Sequence, residues 1–173
     1  MLRAVTIIFL LTGGLLAEDG AQDAISWAGR WVLDVKQSNA PEGLLGLEQR
    51  IKQNGSELSI ESKFPEPGNG IVPLMYLGIL TNSLKLNTGG SEVVNQIGPF
   101  MQTSKTTLNG NALETDWKSE AKGEPVEGHW TRTLSGDGKR MTLKVTESST
   151  PGQSGNAELL FRKNSARFPS SPV

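Results

Sequence analysis

The sequence predicts an all-β chain, an antiparallel up-and-down β-barrel of about eight to ten strands. Three observations predict it. Apolar residues recur at period two along much of residues 30–162, Asn-Gly pairs at Asn54-Gly55 and Asn109-Gly110 mark tight hairpins, and no later stretch holds helical periodicity over a helix's length. Consecutive hairpins favour an up-and-down order, and closing the sheet removes the edges that an open one would offer to other chains.

The elements follow in chain order. Trp31, Leu33 and Val35 share one face of a first strand. Residues 47–53 alternate up to the Asn54-Gly55 turn, after which Leu58, Ile60 and Ser62 alternate against Glu57, Ser59, Glu61 and Lys63. Residues 65–70, rich in Pro and Gly, read as a loop; residues 74–80 fit either a buried strand or a single helical turn. Leu84 and Leu86 lead into a turn at residues 87–90. From residue 101 a meander is expected: residues 101–108, the Asn109-Gly110 turn, then Leu113, Thr115 and Trp117 on one face of residues 112–121. Val126, Gly128, Trp130, Arg132 and Leu134 face inward on the next strand, followed by Met141, Leu143 and Val145, and by a last strand over residues 157–162.

The N-terminus predicts a signal peptide over residues 1–17. Arg3 supplies the basic start, residues 4–11 are apolar except for Thr6, and Ala17 precedes Glu18-Asp19, which places cleavage after Ala17. Gly13-Gly14 and the acidic pair stop the run short of the ~18 apolar residues that a transmembrane anchor needs. The mature product is therefore expected in the periplasm or outside the cell, with a barrel domain over residues 24–163 and a solvated tail over 164–173.

Composition bounds the chemistry. With 173 residues the chain has the length of about one domain, and 17 basic against 18 acidic residues leave no basic field for nucleic acid. Cysteine is absent and histidine single, so disulfides, zinc clusters and thiol nucleophiles are excluded. There is no phosphate loop, dinucleotide fingerprint or Gly-x-Ser-x-Gly elbow, so neither a cofactor nor an enzyme is predicted. His129 falls on an outward face beside Glu114 and Asp116 of the preceding strand, which makes it part of a surface polar cluster. Asp34, Asp116 and Asp137 are too scattered for a calcium loop, and no metal site is predicted.

A hydrophobic fraction of 36% and an aromatic fraction of 6% predict a thin core, and Thr, Ser and Gln at inward positions suit an interior that encloses space. Trp117 and Trp130, on facing positions of adjacent strands, are either core packing or the aromatic wall of a ligand pocket, with Tyr76 and Met101 as further lining. Two functions follow: a binding protein holding a small apolar ligand, or a non-enzymatic structural or interaction domain that meets a polymer or protein through its surface. Residues 71–80 are the candidate contact patch or lid.

Gly29-Arg30-Trp31 at the start of the first strand resembles the Gly-x-Trp opening of lipocalins and the wider calycin superfamily. The continuation through residue 39 and residues 133–142 are similar, more narrowly, to small secreted lipocalin-like proteins of soil bacteria such as the Acidobacteria. The resemblance implies that Trp31 plugs one end of the barrel and that a late-strand arginine packs over it, with Arg132 and Arg162 both candidates. Gly29 would give the entering strand its close approach. A buried Trp of this kind removes roughly 150–250 Å² from water, which supports the plug without the family.

Overall fold

Ten strands follow one another along the chain: β1 (Gly29–Leu33), β2 (Glu48–Asn54), β3 (Glu57–Lys63), β4 (Leu84–Asn87), β5 (Gly89–Ile97), β6 (Phe100–Asn109), β7 (Ala112–Ala121), β8 (Glu124–Leu134), β9 (Arg140–Ser149) and β10 (Gln153–Lys163). The computed structural model describes residues 26–39, 44–63, 83–121, 123–149 and 153–164. The expected leader, the loop at 65–70, the patch at 71–80 with Tyr76, and the tail beyond residue 164 lie outside the described residues. Among the described residues there is no α-helix, and no helix long and apolar enough to cross a membrane.

One sheet holds all ten strands in the order β4-β3-β2-β1-β10-β9-β8-β7-β6-β5. Each strand pairs antiparallel with its sequence neighbour except across β4 and β5, and β1 joins β10 to bring the two ends of the meander together. The predicted up-and-down barrel is therefore present, closed on every side but one. At that seam the strands are not ladder-paired; the Asn95 carboxamide bridges them. Lys85 N–H donates to Asn95 Oδ1 at 2.7 Å, and Asn95 Nδ2 donates to the Lys85 carbonyl at 2.9 Å. One side chain thus satisfies both main-chain groups of an edge residue, which buried backbone requires.

The hairpins differ from the sequence expectation by one residue. Asn54 pairs with Glu57 and Asn109 with Ala112, so the two-residue loops are Gly55-Ser56 and Gly110-Asn111, with each Asn the last residue of its strand. Gly55 (φ 57°) and Gly110 (φ 60°) supply the left-handed first loop position that tight hairpins demand. β1 ends at Leu33 rather than continuing to Val35, which is exposed, because the chain turns at Asp34 and Gln37 N–H bonds back to its carbonyl. β5 has no counterpart in the sequence reading. Its inward residues, Val93, Asn95 and Ile97, include a polar one that breaks the apolar alternation, and its ladder with β6 is irregular between Gly89 and Glu92.

The interior has two characters. Apolar residues from β8, β9, β10 and β1 through β4, among them Leu134, Met141, Leu143, Leu159, Phe161, Trp31, Ile51, Leu58 and Leu84, form one continuous core with Leu44 and Leu47 of the β1–β2 connection. The inward faces of β5, β6 and β7 add Asn95, Gln102, Ser104, Thr106 and Thr115, all buried, beside the apolar Ile97, Leu113 and Trp117. Strand alternation alone places both sets, since Gln102, Ser104 and Thr106 stand two positions apart on β6, as do Leu113, Thr115 and Trp117 on β7.

Candidate functional site

Three large inward side chains stack along the inner faces of β7 and β8. Trp117 and Trp130 lie with ring centroids 5.6 Å apart and planes tilted by 35°. The Arg132 guanidinium follows, its Cζ 5.5 Å from the centre of the Trp130 ring. Positions 130 and 132 share a face because they are two apart on β8, and Arg132 is flanked in register by Leu113 of β7 and Leu143 of β9. Trp130 and Arg132 are fully sealed from solvent.

This arrangement is rich in donors and poor in acceptors. No acceptor among the described residues reaches Nε, Nη1 or Nη2 of Arg132, nor Nε1 of Trp117 or Trp130. Burial pushes the Arg132 pKa down to about 10, still well above neutral, so the group remains a cation. The attraction to the Trp130 face offsets only about 2 kcal/mol of the cost of burying it. A buried, charged fork with no counter-ion is a ready binding group for a carboxylate or similar oxyanion.

The polar strip beyond this stack is mostly satisfied from within. Thr106 and Thr115 share a hydrogen bond of 2.9 Å, and Ser104 donates to the Val93 carbonyl at 3.3 Å. Gln49 Nε2 donates to Ser62 at 3.2 Å. Two carboxamide oxygens, Gln49 Oε1 and Gln102 Oε1, are sealed and have no partner among the described residues. Where β3, β4 and β5 meet, the seam borders a pocket of ≈ 280 Å³ whose lining includes Leu58, Ser59, Lys85, Leu86 and Val93.

The expected site residues divide. Trp117 and Trp130 stand together inside. Met101 does not join them: inward positions on β6 are the even ones, and Met101 is outward and 58% exposed at the strand's start. Tyr76 lies outside the described residues. Trp31 is sealed, as a plug should be, and its Nε1 donates to the Trp27 carbonyl at 3.0 Å. Its cover is neither of the two arginines. Lys163, directly opposite Trp31 in the β1–β10 ladder, lays its Nζ 5.2 Å from the ring centre. Arg162 is one position off that face and points outward to Asp34 at 2.5 Å, while Arg132 lies over Trp130. Gly29 serves this cover, because a Cβ there would stand 2.6 Å from Lys163 Cε.

On the outer face, His129 is held between two carboxylates. Nδ1 meets Asp116 at 2.8 Å and Nε2 meets Glu114 at 2.8 Å, while Thr131 Oγ1 donates to Glu114 at 2.8 Å. Partial burial disfavours the charged ring, but hydrogen bonds to Asp116 and Glu114 outweigh it and raise the His129 pKa. Nε2 also lies 3.2 Å from Thr131 Oγ1, so the imidazole, two carboxylates and one hydroxyl form a single surface network. Among the described residues no group of three or more His, Asp or Glu is arranged to hold a metal ion.

No protein-family model matches the sequence, and no curated protein matches it. Among solved structures the chain is similar to secretory abundant heat soluble protein 4 from Ramazzottius varieornatus, with 16% identity, a TM-score of 0.49, and coverage of 81% of this chain and 96% of that one. It is similar to a further secretory abundant heat soluble protein of the same organism, with 15% identity, a TM-score of 0.48, and coverage of 80% and 95%. A third similarity, with 18% identity, a TM-score of 0.44, and coverage of 79% and 99%, is to a fatty-acid-binding protein from Manduca sexta.

Proposed function

We propose that the chain is an exported, non-catalytic binding barrel of lipocalin-like type that holds one small amphipathic anion. Arg132 takes the acid group, and Trp117, Trp130 and the leucines around them take the apolar body. The observation that carries this reading is the Arg132 guanidinium: fully buried, cationic, and with none of its nitrogens bonded among the described residues. Burying a lone charge costs several kcal/mol, and a carboxylate that forms paired hydrogen bonds with the fork returns much of that cost. The two unpartnered indole N–H groups beside it add donors to the same acceptor-seeking wall.

Export rests on the leader-like residues 1–17, and the narrower kinship with acidobacterial lipocalin-like proteins rests on residues 29–39 and 133–142. The non-catalytic reading is supported by the placement of His129 on the outer face of β8, opposite to the face that carries Trp130 and Arg132. A domain working through its outer surface has, on β5 and β6, the exposed Val94 and Met101 to offer, and scattered apolar side chains are ordinary on soluble proteins.

The test compares palmitate with hexadecanol, which share a chain and differ in charge, by calorimetry and by quenching of Trp117 and Trp130 fluorescence. Palmitate should bind at least about tenfold more tightly, and Arg132→Met should abolish that preference. Equal affinity for the two probes, or binding of neither, would overturn the reading.

A further inference from the structure

We propose that the ligand is bifunctional, with a hydroxyl group at the end remote from its acid, and that Gln102 receives that hydroxyl. The inference rests on the reading of Arg132 as an anion site. Gln102 faces inward from β6 and is 2% exposed, and its Oε1 has no partner among the described residues. Gln49, 1% exposed on β2, repeats the pattern: its Nε2 reaches Ser62 and its Oε1 reaches nothing described. Sealing a polar atom without a partner is costly, and one group in a ligand can relieve it.

The strand ladders separate these oxygens from the cation. Arg132 stands opposite Leu113 of β7, whereas Gln102 stands opposite Ser119, six residues further along the same strand. At ~3.3 Å per residue that is ~20 Å along β7. A single acid group cannot serve both places. Between them the side-chain hydroxyls need nothing from a ligand, because Thr106 and Thr115 bond each other and Ser104 bonds the Val93 carbonyl. Unmet donors thus run along the Arg132, Trp130 and Trp117 row, and the unmet Gln102 oxygen lies beyond the end of that row remote from Arg132, which matches a molecule with its acid group at one end and a hydroxyl at the other.

The chemistry at the Gln102 end selects a hydroxyl. Among the buried described residues Arg132 is the sole charged one, so a second carboxylate would meet no cation at Gln102 and an ammonium would meet no anion. A carboxamide offers both donors and an acceptor, and a hydroxyl answers either.

The experiment measures palmitate and ω-hydroxypalmitate, together with the shorter ω-hydroxy acids down to decanoate, on the full chain and on Gln102→Met. With the native chain the best-fitting hydroxy acid should bind about three- to tenfold more tightly than the unsubstituted acid of equal length. In Gln102→Met that preference should reverse, since the hydroxyl is then buried against a thioether, while palmitate affinity stays within about twofold and shows that the barrel is folded. If palmitate binds through Arg132 and the hydroxyl brings no gain at any length, the bifunctional ligand is refuted and the anion site stands. If palmitate does not bind, both fall.

Discussion

Gly128 of β8 lies under the indole of Trp117, its cross-strand partner on β7, so closely that a Cβ at Gly128 would stand 2.5 Å from ring Cζ2 and 2.7 Å from the Thr146 carbonyl oxygen. The absence of a side chain at one position is what lets the other ring pack against Trp130. Gly128→Ala should therefore push the indole off its seat or spread β8 from β9, costing about 1–3 kcal/mol. For a chain of this length that is a fall in Tm of about 2–4 °C per kcal/mol, with a changed near-ultraviolet tryptophan circular dichroism. An unchanged Tm and spectrum would contradict the close contact.

Arg132 sets function against stability. Its folded pKa of about 10 lies below the ordinary arginine value, so folding disfavours the charged form; the penalty is complete below the folded value and is relieved only as pH rises towards the unfolded one. At neutral pH the penalty is about 3 kcal/mol. Arg132→Met, similar in length and uncharged, should raise the Tm of the ligand-free protein while removing anion binding. A lower Tm would show that the guanidinium is compensated in solution.

Asn95 stands in for a missing ladder. Asn95→Leu keeps the volume and removes both bonds to Lys85, so the Lys85 amide should exchange with solvent much faster while Leu58 and Ile60, paired with β4 from β3, change less. The variant should lose about 1–3 kcal/mol, as expected when buried main-chain groups lose their partner. Uniform loss of protection across the sheet would show instead that the seam and the barrel open together.

His129 gives the outer face a pH response. Its folded pKa is raised, so its ion pairs with Asp116 and Glu114 stabilise the fold fully below the unfolded value of about 6.5, and that contribution disappears as pH climbs through the higher folded value. The cluster is partly exposed, which limits the effect to below about 1 kcal/mol. Tm should decline slightly between about pH 6 and pH 8, and His129→Gln should flatten the decline. A decline that persists in the variant would assign it to other groups.

Much of this arrangement was legible in the sequence. The faces of β7, β8 and β9 follow from period two, because long paired strands between tight turns leave the register no freedom: Trp117, Trp130 and Arg132 fall inward and His129 outward together. Met101 was misjudged by residue type, since an apolar side chain at an odd position of β6 is carried outward by the same rule that buries Gln102 and Ser104. β5 escaped because its inward Asn95 answers to the main chain of Lys85, a partner that sequence spacing does not reveal. The cover on Trp31 escaped for a related reason: the choice among three basic side chains depends on the β1–β10 register, a pairing between opposite ends of the chain. The isolation of Arg132 is likewise a property of everything around it. Inwardness could be counted along one strand; the lack of an acceptor could not.

The β1–β10 pairing also fixes where the chain enters and leaves. Trp31 faces Lys163, and the Asn164 amide bonds the Arg30 carbonyl at 2.8 Å, so both flanks of the barrel are attached at the rim that carries the Gly55-Ser56 and Gly110-Asn111 turns. The strand that opens the barrel and the strand that closes it are thus tied to each other at one rim, so loosening either end there would loosen both.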